Sequence, residues 1–321
     1  MPVTAVTTDP ENLTMTLTAE LAAPVERVWR AFTDPRQLDR FWGPPTWPAR
    51  FTHFDLQVGG LARYAMTGPE GELSAGRWEF LAIEPPHRFE VIDSFTDAEG
   101  NVIAEMPSMR MTFVFEPVDG GTRLVNVTYF TDLATLEKVV AMGAVEGSTM
   151  AMNQLDQVLL DLRELSRSTE LEIVNDTLVR VSRVIHGPAE LVWRAHTEEA
   201  LLRRWMLGPD GWEMTDCEPP TTPGERYRCG WRSTTGEGEP FGFEGEVLIA
   251  ERPRRLVTTE RMVGVEGPGT VNDMSLYEED GLTLLTLYIC YPDKDTRDMV
   301  LATGMVDGME ASYARMESVL A

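Results

Sequence analysis

The 321-residue chain writes one passage twice. "PVERVWRAFTDPRQLDRFW", from Pro24 to Trp42, returns as "PAELVWRAHTEEALLRRWM", from Pro188 to Met206, with nine identities in nineteen positions at an offset of 164. Chance supplies about one or two such identities, because no residue type much exceeds a tenth of usual composition. The repeat continues through "GPP" at Gly43 and "GPD" at Gly208, "EPPHRFE" at Glu84 and "ERPRRLV" at Glu251, and "GAVEG" at Gly143 and "GMVDG" at Gly304. The offset drifts from 164 to 167 and back to 161, as loop-length changes produce. A period near 160 residues is far longer than the roughly 20–50 residues of a solenoid unit. It predicts two whole domains in tandem, residues 1–166 and 167–321, joined at the polar "SRSTE" from Ser166 to Glu170.

Within each copy the hydrophobic period changes in a fixed order. "LTMTLTAEL" from Leu13 alternates Leu13, Met15, Leu17, Ala19 and Leu21 with polar residues and reads as a strand. Pro24 and Pro188 suit the first position of a helix, and Thr33 or Asp34 caps a second short helix ending near Trp42. Five strands follow, in "GGLARYAM", "GRWEFLAIE", "HRFEVIDSF", "SMRMTFVFE" and "TRLVNVTYF", the last two joined by the hairpin turn "DGG" at Asp119. Asp132 to Leu162 then reads as one long helix, as does the stretch from Thr296 in the second copy. An antiparallel sheet with one apolar face needs a cover, and the long helix is the available one. The expected class is α+β, with each domain a curved antiparallel sheet wrapped around a long C-terminal helix and carrying two short helices.

Composition narrows the partners. With 52 Asp and Glu against 28 Lys and Arg, the net charge is −24, opposite in sign to what phosphate backbones and anionic lipids attract. No nucleic-acid or membrane partner is expected. The N-terminal "MPVTAVTTDPENLTM" has no basic region ahead of an apolar core, and no stretch approaches the ~18 apolar residues of a membrane span, so a cytoplasmic protein is expected. Three cysteines, Cys217, Cys229 and Cys290, are odd in number and widely spaced, which argues against a disulfide framework or zinc site and for small apolar core or pocket residues. GxSxG, P-loop, HExxH and dinucleotide-fold motifs are absent, and His53, His87, His186 and His196 form no ligand-like pair. No cofactor or metal is expected, and oligomeric state is not readable.

"VWRAFTDP", "FWGP", "DLQVGG…RYAM" and the closing "TGMVDGMEASYARM" together resemble the START-like (SRPBCC, birch-pollen-allergen-like) superfamily, in its heat-shock-protein ATPase activator homologue branch. The resemblance covers each half once. It implies two helix-grip domains whose sheet and helix enclose a cavity, often for a hydrophobic small molecule.

Strand parity selects the side chains that face such a cavity. Tyr64 and Met66 share a face with Ala62, and Tyr227, Cys229 and Trp231 share one opposite Arg226, Arg228 and Arg232. Met109, Met111, Phe113 and Phe115 form a further row, and Met142, Met150 and Met152 lie on the expected C-terminal helix. A methionine-rich interior suits either a loosely specified ligand or an ordinary core. Asp93 shares parity with Phe89, Val91 and Phe95, and Glu260 with Leu256, Thr258 and Met262; an inward carboxylate needs a partner and is a weak candidate for acid–base catalysis or ligand anchoring, or else a strand-end group satisfied by Arg63 or backbone amides. Trp42 and Trp205 end the second short helices, where they either close a cavity mouth or pack helix on sheet. Gly304 and Gly308, like Gly143 and Gly147, are expected on one helix face, approached closely by the sheet or by ligand. The leading expected function is binding of a small hydrophobic or aromatic ligand in one or both domains. The alternatives are an aromatase or cyclase enzyme acting on a polyketide-type substrate, whose two-domain layout is similar, and a chaperone-linked interaction protein.

Overall fold

The structure is a computed structural model that describes residues 2–160, 162–163, 168–208 and 211–320. It divides into two compact units, Met1–Leu160 and Asp161–Ala321. The expected joint at Ser166 to Glu170 lies partly outside the described residues, which resume at Ser168.

In the first unit the chain runs β1 (Val3–Asp9), β2 (Thr14–Leu21), α1 (Val25–Thr33), α2 (Pro35–Leu38), β3 (Ala49–Phe54), β4 (Leu61–Thr67), β5 (Leu73–Glu84), β6 (Arg88–Thr96), β7 (Ser108–Val118), β8 (Gly121–Tyr129), α3 (Leu133–Ala141), α4 (Ala144–Asn153) and α5 (Leu155–Val158). The second unit repeats this as β9 (Glu170–Ile173), β10 (Leu178–His186), α6 (Ala189–Thr197), α7 (Glu199–Trp205), β11 (Trp212–Glu218), β12 (Arg226–Ser233), β13 (Phe241–Glu251), β14 (Arg255–Met262), β15 (Thr270–Glu279), β16 (Leu282–Cys290), α8 (Lys294–Leu301) and α9 (Met305–Leu320). Each unit has one eight-stranded sheet, ordered β1-β2-β8-β7-β6-β5-β4-β3 in the first and, read from the other edge, β9-β10-β16-β15-β14-β13-β12-β11 in the second. Every pairing is antiparallel, so each sheet is a meander from its third strand to its eighth, with the first two strands returning beside the eighth. The expected pair of tandem helix grips is therefore present. Strands β1 and β3 had no counterpart in the sequence reading, because "VTAVTTD" and "ARFTHF" carry little apolar alternation.

Local signals explain the element ends. Met15, Leu17, Ala19 and Leu21 of β2 are all buried, as their alternation requires. Pro24 and Pro188 sit one position earlier than expected, in extended conformation just before α1 and α6. The carboxylate of Asp34 caps α2 by accepting from the Arg36 amide. Asp132 and Asp293 cap α3 and α8 in the same way, each accepting from the amide three residues on.

The single long helix expected in each copy is broken. Gly143 and Gly304 stand between α3 and α4 and between α8 and α9 with φ of 88° and 80°, a left-handed conformation that a helix interior never takes. Each lets one helix stop and the next start at a new angle. The close approach expected at these glycines is also absent: a Cβ at Gly143, Gly147, Gly304 or Gly308 meets nothing within 4 Å. Two of them are held by backbone angle, and two by nothing visible. Gly304→Ala should cost about 1–2 kcal/mol, whereas Gly308→Ala, inside α9, should stabilise by up to about 1 kcal/mol; urea denaturation of the two variants checks the opposite signs.

The helices and sheet of the first unit close on an aromatic core. Phe32 of α1 packs on Phe41, Phe113 and Phe115, Phe89 stacks on Phe113 at 4.5 Å, and Trp78 is completely buried beside Trp42. The second core is built differently, from Trp193, Trp205, Trp231, Cys217, Cys229, Leu256, Met274, Tyr313 and Met316. In both units the C-terminal helices are tied to the turn after the second short helix: Gln154 Nε2 donates to the Gly43 carbonyl at 2.8 Å, and Arg315 to those of Trp205 and Gly208 at 3.1 and 3.0 Å.

Candidate functional site: a tyrosine–carboxyl pair on the core face of each sheet

In the first unit, Trp78 on β5 stands directly opposite Asp93 on β6, which stands opposite Met109 on β7. Next to this row, Tyr64 on β4 faces Gly76 on β5. With no side chain at Gly76, the phenol lies across that position; a Cβ there comes within 2.5 Å of Tyr64 Oη. The hydroxyl thereby reaches the next strand but one and donates to Asp93 Oδ1 at 2.9 Å. Burial drives the Asp93 carboxyl up to about 7, against the stabilising hydrogen bonds from Tyr64 and the Ser94 amide. The Tyr64 phenol is pushed well up too, first by burial and then by the Asp93 charge. The partners of Asp93 are thus Tyr64 and, as the backbone-amide alternative expects, the Ser94 amide, and not Arg63, which is exposed; Met262, expected beside Glu260, is 45% exposed.

The second unit builds the same device. Tyr227 faces Gly245 across β12 and β13, and its Oη lies 2.9 Å from the Thr259 carbonyl and 3.2 Å from Glu260 Oε2. Burial raises the Glu260 carboxyl, while hydrogen bonds from Asn272 and Tyr227 oppose the rise. Glu260 is thus held beside a buried phenol, as Asp93 is.

Around Asp93 the fold gathers most of the first unit's candidate residues. Trp42 meets Trp78 edge-on at 4.6 Å and Tyr64 at 6.2 Å, and Phe113 lies 6.0 Å from Trp42. Met66 and Met111 pack on this cluster; Met109, although beside Asp93 in register, belongs to a neighbouring cluster with Phe130 and Leu136. Met142 is 55% exposed and outside the core, whereas Met152 is buried. In the second unit Trp205 stacks on Tyr313 and Trp231 on Phe241, while Cys229 stands opposite Cys217, both thiols free and buried. Burial pushes the Cys229 thiol up to about 12, so it is held as a thiol. Gly304 and Gly308 are exposed and contribute no side chain to this region. His196, where the first copy has Phe32, is driven down to about 4 by burial and bonds the Val192 carbonyl, a neutral core histidine. Among the described residues no group of three or more His, Cys, Asp and Glu is placed to hold a metal ion. None of the described helices is long and apolar enough to cross a membrane.

Sequence reasoning missed Trp78, Gly76, Gly245 and Asn272. The glycines carried the usable signal, since a glycine inside a strand marks close approach by another group. A cleft of about 470 Å³ opens elsewhere in the first unit, between Pro24 to Glu26, His87 and the β7–β8 turn, and no candidate site residue lines it.

Two helix grips in tandem, each an eight-stranded antiparallel sheet with its helices, make this a START-like protein. The sequence profile described as "Activator of Hsp90 ATPase homolog 1-like protein" matches residues 22–160 and again 186–321, and the chain belongs to that family. Among solved structures, a Mycobacterium smegmatis protein is 44% identical over 50% of this chain and 98% of its own, with a TM-score of 0.47. An Arthrobacter aurescens protein is 41% identical over 49% of this chain and 91% of its own (TM-score 0.48), and one from Rhodobacter sphaeroides 29% identical over 48% and 97% (TM-score 0.45). No curated protein matches the chain.

Proposed function

We propose that this protein binds a small hydrophobic or aromatic molecule between the sheet and helices of one or both domains. The observation that carries the reading is the recurrence, at matching strand positions, of a buried carboxyl held by a tyrosine that lies across a glycine. A core that only needed filling gains nothing from a buried carboxyl, whose desolvation costs several kcal/mol unless it is matched or neutralised. A polar point set in an apolar aromatic wall is instead the usual composition of a small-molecule site, in which a few polar groups orient a ligand gripped by its apolar surface. The same pair supports a second reading: a carboxyl near neutrality beside a phenol is able to exchange protons with a bound conjugated substrate, as the cyclase alternative requires.

Native mass spectrometry of the purified chain, followed by calorimetric titration with α-methylstyrene after organic extraction, tests the binding reading. A retained small molecule, or saturable binding with a negative heat-capacity change, is the expected result. Absence of both overturns it.

A further inference from the structure

The second sheet brings two of the chain's three cysteines together. Cys217 lies on β11, the edge strand, and stands directly opposite Cys229 on the neighbouring β12. A β-bulge makes the meeting. Unbroken alternation from Met214, which packs on the core, would turn Asp216 inward and Cys217 toward solvent. The register instead slips between Met214 and Asp216, so that Trp231 opposes Met214 and Gly230 opposes Asp216. The extra residue, Thr215, puts Cys217 on the same face as Met214 and buries it.

The kind of pairing sets the distance between the two cysteines. Along an inner strand, alternate residues send both backbone groups to one neighbour and the rest send theirs to the other. The Thr234 amide donates to the Gly211 carbonyl just before β11, and the Val247 amide of β13 donates to the Glu225 carbonyl just before β12. Even-numbered residues of β12 therefore bond to β11 and odd-numbered ones to β13, which makes Cys217 and Cys229 a non-hydrogen-bonded pair. In such a pair the Cα atoms stand about 4.5 Å apart and the side chains are drawn together, inside the roughly 4.4–6.8 Å that a disulfide spans. Cys290 takes no part, since it lies on β16 opposite Leu178 and Val271. The first unit has no counterpart: two positions past Tyr64, as Cys229 is past Tyr227, Met66 stands opposite Ala49.

The two sulfurs are unequal. Burial raises both thiols, but the Arg203 guanidinium, fixed by Glu199 and the Met214 carbonyl, opposes the rise at Cys217. The Cys229 S–H also bonds to Cys217 and favours its ionised form, while Cys229 itself, pushed up to about 12, keeps its proton. Cys217 is thus the first to reach the thiolate, the nucleophilic form. At 7% exposure on an edge strand it is open only to a small oxidant. We infer that Cys217 and Cys229 are a peroxide-oxidisable dithiol, a modification site that closes to a disulfide tying β11 to β12. The Cys217 thiolate attacks one oxygen of hydrogen peroxide; the O–O bond breaks, hydroxide leaves and takes up the proton Cys217 had released, and Cys217 becomes a sulfenic acid. The Cys229 sulfur then attacks that of Cys217 as its proton passes to the departing hydroxyl; the S–O bond breaks and a second water leaves. The dithiol gives up two electrons, and one peroxide is reduced to two waters.

Hydrogen peroxide added to the native, full-length chain, followed by quenching, alkylation in urea and peptide mass spectrometry, tests this. Two of the three thiols should be lost together, with the Cys217 peptide joined to the Cys229 peptide, while Cys290 stays open to alkylation. Dithiothreitol should restore both. Cys229→Ser should halt Cys217 at the sulfenic acid, which dimedone captures, and Cys217→Ser should leave Cys229 unreacted. A sulfinic acid at Cys217 beside a free Cys229 in the native chain would show that the sulfurs do not meet and would overturn the dithiol. Bridges to Cys290 or between chains would overturn it too, as would oxidation that begins only when urea accompanies the peroxide. Dimedone capture at Cys229 in Cys217→Ser, as fast as at Cys217 in Cys229→Ser, would overturn the order of attack.

Discussion

Gly245→Ala should lower the stability of the second domain by about 3 kcal/mol or more, among the largest effects available to a single methyl group. The added Cβ falls 1.8 Å from the Thr259 carbonyl oxygen, a backbone atom of the adjacent strand, and 2.7 Å from the Tyr227 ring. A backbone atom moves only if the β13–β14 ladder opens. Gly76→Ala in the first domain is milder, because its Cβ meets the far end of the Tyr64 side chain at 2.5 Å. The phenol is able to swing away, at the cost of its hydrogen bond to Asp93, a loss of about 1 kcal/mol. Thermal unfolding of the two variants should therefore show a large shift for Gly245→Ala and a smaller one for Gly76→Ala. Equal and negligible shifts would show that neither glycine is required by a tyrosine lying across it.

The second large effect concerns pH. Asp93 ionises near 3.8 when solvated and near 7 in the folded protein, so between these values the native state holds a proton that the unfolded chain has released. Its contribution is fully present below about pH 4 and is lost as pH rises through 7, amounting to at most about 4 kcal/mol. Glu260 is shifted in the same direction. Carboxylates such as Asp34, Asp132 and Asp293, held low by hydrogen bonds, act oppositely and lose their contribution in acid. The clean measurement is therefore a difference. Asp93→Asn keeps an acceptor for Tyr64 and cannot ionise, so its stability should match the native protein near pH 4 and exceed it by about 2–4 kcal/mol at pH 8. Parallel pH profiles for the two proteins would mean that the Asp93 carboxylate is solvated when folded.

Much of this architecture was readable from the amino acids, for reasons that particular residues make plain. The repeat at Trp29 and Trp193 gave the domain count, because aligned sequence needs no knowledge of packing. The alternation in "LTMTLTAEL" and in "RYRCGWR" gave the core faces, because strand parity is a local property; Tyr227, Cys229 and Trp231 are all buried and Arg226 and Arg228 exposed. Asp93 and Glu260 were picked out by the same parity. Their partners were not, since Tyr64 reaches Asp93 diagonally across Gly76, a contact fixed by the register of three strands. The helices failed differently. "GAVEG" and "GMVDG" look like helix interior with a tolerated glycine, and only the backbone angle shows that Gly143 and Gly304 end one helix before another begins.

The two copies nevertheless differ around this shared contact. In the first, Tyr64 is the side chain that bonds Asp93, whereas in the second both Tyr227 and Asn272 bond Glu260. Central to both is the proposed binding of a small hydrophobic or aromatic molecule between sheet and helices in one or both domains. Crystals of the full chain soaked with 4′-bromoacetophenone put this to the most direct test, because anomalous scattering locates the bromine without interpretation of shape. The account predicts a bromine site on the core face of one or both sheets, between sheet and helices. Bromine found only at the surface, for example in the cleft beside Pro24 and His87, would contradict it.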